Sequence, residues 1–349
     1  MNQKTPTQEN VSMENVALQQ TRTEKTRAII KQYYIYFVLA LVVTVFSVVS
    51  LDEVNWFERG HFLNPNNIIN LLRISVPIIT VAGAFTLLMI AEYIDLSVGS
   101  AMSLSAVVFA WLILNGANLI TAMILTLFVG LILGVINGFL VMKLNITPVI
   151  ATLITLSLYK GIALLIVPEG FSTIRTIGDQ KMPAWINNYA RADVLFGLPM
   201  ALFVAIAVII VLIVAQRKTI LGKYSAAIGG NPVAAELSGI NRVRWVWFLY
   251  ILVAISAALA GIARGSFMSM GDPLASDGME MWLIIAVLLG GTKFTGGEGS
   301  VEKTVVAALI IIVVTVGMLT VIPAYWQGFA LGAILLIAVV INYQIVQEN

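Results

Sequence analysis

Cysteine is absent from this chain of 349 residues, and histidine occurs once, at His61. The first absence removes disulfides, thiol nucleophiles and cysteine-based metal sites together. The second rules out a histidine metal cluster and leaves no general base for an intramembrane serine. His61, just ahead of Phe62-Leu63-Asn64-Pro65, reads as an exposed loop residue. Charge is scarce as well. Charged residues make up 11% of the chain, about half the share of an ordinary soluble protein. A net charge of +2 leaves no footprint for nucleic acid.

What is present in abundance is apolar. Hydrophobic residues reach 59% and the mean hydropathy is +0.95, which places the chain among integral membrane proteins. Crossing a hydrocarbon core of ~30 Å takes about 20 apolar residues. Runs of this kind occur near 33–51, 72–91, 97–115, 119–141, 148–167, 197–215, 245–264, 280–291, 303–321 and 326–343. The expected fold is therefore all-α with about ten transmembrane helices. The run at 280–291 is short and ends in Gly290-Gly291.

Lysines and arginines set the orientation. Residues 1–31 are polar, lack the pattern of a signal peptide, and read as a cytoplasmic tail. With that tail inside, Lys143, Arg217, Lys218, Lys223, Arg242, Arg244, Lys293 and Lys303 are also inside. Arg59, Arg175, Lys181 and Arg191 fall outside, and Arg73, Lys160 and Arg264 near outer span ends. An even number of spans returns residues 344–349 to the cytoplasm. Outer segments 52–71 and 168–196 carry aromatic residues suited to the interface or to an external partner.

The stretch Gly229-Gly230-Asn231-Pro232-Val233-Ala234-Ala235-Glu236-Leu237-Ser238-Gly239-Ile240 lies in the most basic loop. Asn231 suits a helix N-cap, Pro232 the first helical position and Gly239 the position past the end. The result is a helix of about two turns, with Val233, Leu237 and Ile240 on one stripe. So short a helix is not stable in water alone and needs lipid headgroups or another protein to hold it.

Polar residues inside the spans are few. Gly130, Gly134 and Gly138 share one helix face and predict close helix packing. Asn137, beside them, is a candidate for lining a path or for bonding across helices. Asp95 sits between two spans and is expected to cap the helix that follows. With Ser97 and Asn137 it supplies the polar candidates for a translocation path. Arg264, Asp272, Asp277 and Glu280 are expected to form surface ion pairs. The run Gly290-Gly291-Thr292-Lys293-Phe294-Thr295-Gly296-Gly297-Glu298-Gly299-Ser300 is not a phosphate loop, because Gly297 stands where the lysine belongs. It reads as a tight turn whose glycines permit positive φ.

Four elements, in order, resemble one family. Ile94-Asp95-Leu96-Ser97-Val98-Gly99-Ser100 is similar to an element of the ribose-type ABC sugar importer permeases. So are Gly134-Val135-Ile136-Asn137-Gly138 with Pro148-Val149-Ile150-Ala151-Thr152-Leu153, the stretch 228–240, and Leu288-Leu289-Gly290-Gly291-Thr292 with Gly296-Gly297-Glu298-Gly299. The resemblance covers roughly 70–343. It departs at Glu92-Tyr93, where the family usually has glycines, so no particular sugar carries over.

The resemblance implies a single permease domain over 32–343 in the bacterial inner membrane, of the vitamin B12-importer-like (type II) architecture. It implies a dimer with a second copy or a paralogue, a periplasmic sugar-binding protein and a separate ABC ATP-binding subunit. ATP and Mg would be held by that subunit, and this chain would bind no cofactor and catalyse no reaction. The segment 216–244 becomes the coupling segment, with Asn231, Pro232, Ala235, Glu236, Leu237, Ser238 and Gly239 as its contact residues. Gly290, Gly291, Thr292, Gly296 and Gly297 would form a cytoplasmic glycine-rich turn. The competing expectation is an ion-coupled carrier working alone, which would need more ionisable residues in mid-span than are visible.

Overall fold

The computed structural model describes residues 33–48, 62–178, 180–191 and 197–321, with six further positions between 326 and 336. His61, both tails and most of the expected last span lie outside the described residues. The protein is mostly helical. Its apolar helices are α1 (Tyr33–Val48), α2 (Pro65–Ile90), α3 (Val98–Leu114), α4 (Leu119–Met142) and α5 (Pro148–Ile166). Further along come α7 (Met200–Lys218), α10 (Arg242–Met268), α11 (Met279–Leu289) and α12 (Val301–Val321). Among the described residues, six are long and apolar enough to cross a membrane, and α1, α3 and α11 are shorter.

Local chemistry sets the helix starts. Pro65 and Pro148 occupy first-turn positions, where a missing N–H costs nothing. Asn64 and Asn118 cap α2 and α4 by accepting from the N–H groups of Asn66 and Thr121. Burial then sorts the bundle. α2 is buried along nearly all of Ser75–Ile90, and α3 and α10 are buried almost as thoroughly, so these three form the centre. α4, α5 and α7 bury one face and turn isoleucines and leucines outward, as lipid-facing helices do. The glycine face of α4 packs on α10 as expected. A Cβ on Gly134 would lie 2.5 Å from the Ile251 Cα, and one on Gly138 would lie 2.1 Å from the Trp247 ring.

The bundle has two ends. At one end Gly297 N–H donates to the Ile90 carbonyl at 2.8 Å, and Gln216 bonds both Gly299 and Val301. At the other, a small hairpin of β1 (Thr176–Ile177) and β2 (Gln180–Lys181) precedes the short helix α6 (Ile186–Ala190). A backbone bridge ties Ile174 to Gly271 there. Burial pushes the Tyr189 phenol of α6 up to about 12, so it packs as a neutral ring. The hairpin amends the all-helical expectation for 168–196, where Thr176, Ile177 and the Gly178 turn favour paired strands.

Two apolar helices are shorter than a crossing needs. α3 and α11 have 17 and 11 residues, about 25 and 16 Å, against a core of ~30 Å. Irregular chain leads into each, over 91–97 and over 269–278. The second piece runs down the side of α3: Gly271 packs on Val107, Ser276 N–H donates to Ser103 Oγ at 3.0 Å, and Glu280 reaches Gly99. The surface ion pairs expected of Arg264, Asp272, Asp277 and Glu280 are therefore corrected. Arg264 is held by the Ala275 carbonyl at 2.8 Å, and of the four only Asp277 forms an ion pair among the described residues, with Lys160. Their neighbourhood in the sequence reflects this descent rather than a common surface.

Candidate functional site: a braced helix tip and a buried polar cluster

The segment 229–240 folds as its residues foretell at the distal end. Asn231 Oδ1 accepts from the Ala234 N–H at 3.0 Å, Pro232 opens α9 (Pro232–Leu237), and Gly239 takes φ +87 past its end. Ser238 bonds back to the Ala234 carbonyl, and Glu236 pairs with Arg242 at 3.0 Å. Ala235 is buried beneath, whereas Val233 and Leu237 are 66% and 86% exposed. Ile240 is half-buried. The short helix thus presents an apolar tip that is left uncovered among the described residues.

The proximal end differs from a loop. Residues 220–230 form a helix, α8 (Ile220–Gly230), capped by Thr219, whose hydroxyl accepts from the Leu221 N–H at 3.1 Å. Gly222, Gly229 and Gly230 lower its helix propensity and hide it from the sequence pattern. The glycines have a packing reason instead. A Cβ on Gly229 would stand 1.9 Å from the Ile90 carbonyl oxygen and 2.6 Å from the Gly297 nitrogen. The last turn of α8, the end of α2 and the glycine-rich turn therefore meet backbone to backbone. That meeting is the main feature sequence reasoning missed, and only a glycine at a predicted packing contact could have signalled it.

The turn at 290–300 matches its expectation of positive φ, with values of +83, +74 and +82 at Gly291, Gly296 and Gly297. Gly290 packs on the Thr304 backbone of α12, and Thr292 is buried with its N–H on the Val287 carbonyl. Lys293 pairs with Glu298 across the turn at 3.1 Å. Between this turn and α8 lies a cleft of about 440 Å³ lined by Gln216, Gly222, Gly291, Gly299 and Lys303.

Five to seven residues beyond Ile90, at Asp95 and Ser97, the polar candidates come together with Asn137 of α4. Asp95 Oδ1 accepts from the N–H and the hydroxyl of Ser97, at 2.8 and 2.6 Å. Asn137 Nδ2 donates to Asp95 Oδ2 at 3.1 Å and to Ser97 Oγ at 2.8 Å. Tyr159 lies within 3.1 Å of Asn137 Oδ1 and 2.9 Å of the Leu133 carbonyl, and Tyr250 donates to the Ile94 carbonyl. Asp95, Ser97 and Asn137 are all buried. The expected cap is therefore corrected: Ser97 is the N-cap of α3, and Asp95, two residues before it, holds Ser97 rather than an N–H of the first turn. The two tyrosines join a cluster that sequence spacing could not assemble.

At the hairpin end a cleft of about 580 Å³ is lined by Arg175, Lys181, Arg191 and Met268. Arg191 lies over the Phe267 ring at 4.8 Å, and no carboxylate among the described residues pairs with these cations.

Residues 67–339 match the family model described as the branched-chain amino acid transport system / permease component. The D-allose transport system permease protein of Escherichia coli is 31% identical over 89% of this chain and 91% of its own length. The ribose import permease protein of Bacillus subtilis is 33% identical over 80% of this chain and 86% of its own. The fructose import permease protein of Bifidobacterium longum is 29% identical, covering 82% and 79%. No solved structure matches. The matched region takes in every described helix from the body of α2 to α12, the α8–α9 unit included, and the chain belongs to the branched-chain amino acid transport system / permease component family.

Proposed function

We infer that this chain is the membrane-spanning permease subunit of an ATP-binding cassette importer that moves a monosaccharide or related polyol across the bacterial inner membrane. The observation that carries this is the α8–α9 unit. An exposed apolar tip, Val233 and Leu237, is braced through Gly229 onto the end of α2 and the glycine-rich turn. Exposed apolar side chains on a capped helix suit a groove on a partner protein. The partner is a separate ATPase subunit, which would hold ATP and Mg. The relatives named as allose, ribose and fructose permeases support a sugar as cargo.

In this reading 32–343 is one permease domain of about ten spans in a vitamin B12-importer-like dimer, with both termini in the cytoplasm. The end bearing α9 faces the ATPase. The hairpin end faces a periplasmic sugar-binding protein, and its Arg175, Lys181 and Arg191, which pair with no carboxylate among the described residues, suit acidic groups on that protein. Closure of the ATPase would push α9, and Gly229 would pass the push to Ile90. The stretch 91–97 continues from Ile90, so the push reaches the cluster of Asp95, Ser97 and Asn137. These residues serve the path by holding the start of α3 against α4.

Leu237→Asp tests the reading in proteoliposomes holding the whole importer. A charge on the tip should abolish ATP-driven uptake while the permease stays in the membrane at its normal level. Uptake at the wild-type rate would refute the assignment of α9 as the point where force enters.

A further inference from the structure

Charged side chains occur at membrane depth on a face the proposed force pathway does not use. α11 ends at the α8–α9 end of the bundle: the Leu289 carbonyl accepts from Tyr34 near the start of α1, and Gly290 packs on Thr304. Glu280 lies nine residues earlier, about 14 Å into a core of ~30 Å. A second measure agrees. A Cβ on Gly99 would meet the Glu280 carboxylate at 2.4 Å, and Gly99 lies about 22 Å below the opposite end of α3. Asp277, three residues before Glu280, pairs with Lys160 of α5.

This set is not sealed. The side chains of Lys160 and Asp277 are 34% and 41% exposed. Ionised groups cannot face hydrocarbon at this depth, so exposure means water or a polar ligand. The irregular chain at 269–278 supports this, because non-helical backbone at depth is tolerated where protein buries it or where it lines water. α5 sorts its exposed residues accordingly. Ile154, Leu158 and Leu165 make a wholly apolar face, whereas Ser157 and Lys160 put polar groups on the neighbouring exposed face, beside Leu153 and Leu164. Beside the pair, Ser276 is buried with its hydroxyl unpartnered among the described residues.

We propose that Lys160, Asp277 and Glu280 form a hydroxyl-binding station on a water-filled path between α5 and the start of α11, where a neutral polyhydroxylated ring pauses as it crosses. Carboxylates accept from hydroxyl groups and the ammonium donates to them, so the alternation matches neighbouring hydroxyls on one ring. The polyol ligand rests on the sugar-importer reading; the water-filled path does not.

The absence of cysteine makes single-cysteine variants clean probes. In membrane vesicles holding the full importer, the Ser157→Cys variant should react with a charged, membrane-impermeant methanethiosulfonate at least tenfold faster than the Leu158→Cys variant. Equally slow reaction would overturn the path. Uptake of ribose, allose and fructose is then measured at equal membrane abundance. For whichever sugar the wild type carries, Asp277→Asn and Glu280→Gln should each reduce uptake at least tenfold. The paired exchange Lys160→Asp with Asp277→Lys should stay as low. Restored uptake in the exchanged pair would make the ion pair purely structural and overturn the station. A reactive Ser157→Cys variant with no uptake of any of the three sugars by the wild type would overturn the sugar reading and leave the path standing.

Discussion

Replacing Gly229 by alanine adds one methyl group at the point where α8 meets the end of α2. The new Cβ would lie 1.9 Å from the Ile90 oxygen, whereas ordinary contact begins at 3.4 Å, so a gap of 3.4 − 1.9 = 1.5 Å must open. Both obstructing atoms are backbone, and no rotamer change relieves them. Opening the contact also pulls on the Gly297 N–H to Ile90 bond. Overpacking costs about 1–3 kcal/mol and an orphaned buried polar group about 1–3 kcal/mol, so the substitution should cost about 2–6 kcal/mol. If that falls on the transport-competent arrangement, even the low figure is a loss of about thirtyfold. Gly230→Ala is the internal control, since a Cβ there meets nothing within 4 Å. Sugar uptake per ATP hydrolysed, measured in proteoliposomes at matched permease density, separates the two. Gly229→Ala should lose uptake and Gly230→Ala should keep it. Equal uptake by both variants would refute the claim that this contact transmits force.

Gly134→Leu should destabilise the detergent-solubilised protein by about 3 kcal/mol or more, because even a Cβ is 2.5 Å from the Ile251 backbone. Thermal unfolding followed by tryptophan fluorescence reads that loss, and an unchanged midpoint would refute the α4–α10 packing. Asn137→Leu leaves Asp95 Oδ2 and Ser97 without their donor in a buried site, a loss of about 1–3 kcal/mol. A companion Asp95→Asn in the same chain should recover part of it, since the orphaned carboxyl oxygen is then gone. Asn231→Ala removes the cap of α9 at a cost of about 1 kcal/mol. It should weaken coupling by several fold but less than Leu237→Asp, as measured by the same uptake ratio.

Much of this protein is legible in its residues because the bilayer imposes one length and one polarity on every crossing. The runs at 97–115, 119–141 and 148–167 fall within a residue of α3, α4 and α5 at each end. Asn231, Pro232 and Gly239 announce α9 because caps are local chemistry, satisfied within four residues of the chain. α8 was not legible, since its three glycines look like loop until the backbone of Ile90 is placed against one of them. The run at 280–291 shows its shortness, but not that irregular chain descending beside α3 leads into it.

The sequence alone therefore determines the membrane class, the placement of most spans and the capped helix tip, because hydropathy and capping act over a few neighbouring residues. Only the tertiary structure decides which distant groups meet. Asp95 with Asn137, Gly229 with Ile90 and Lys160 with Asp277 are each set by helix packing across long stretches of chain. Those meetings place the α8–α2 contact and the polar groups of the bundle, and no local pattern encodes them.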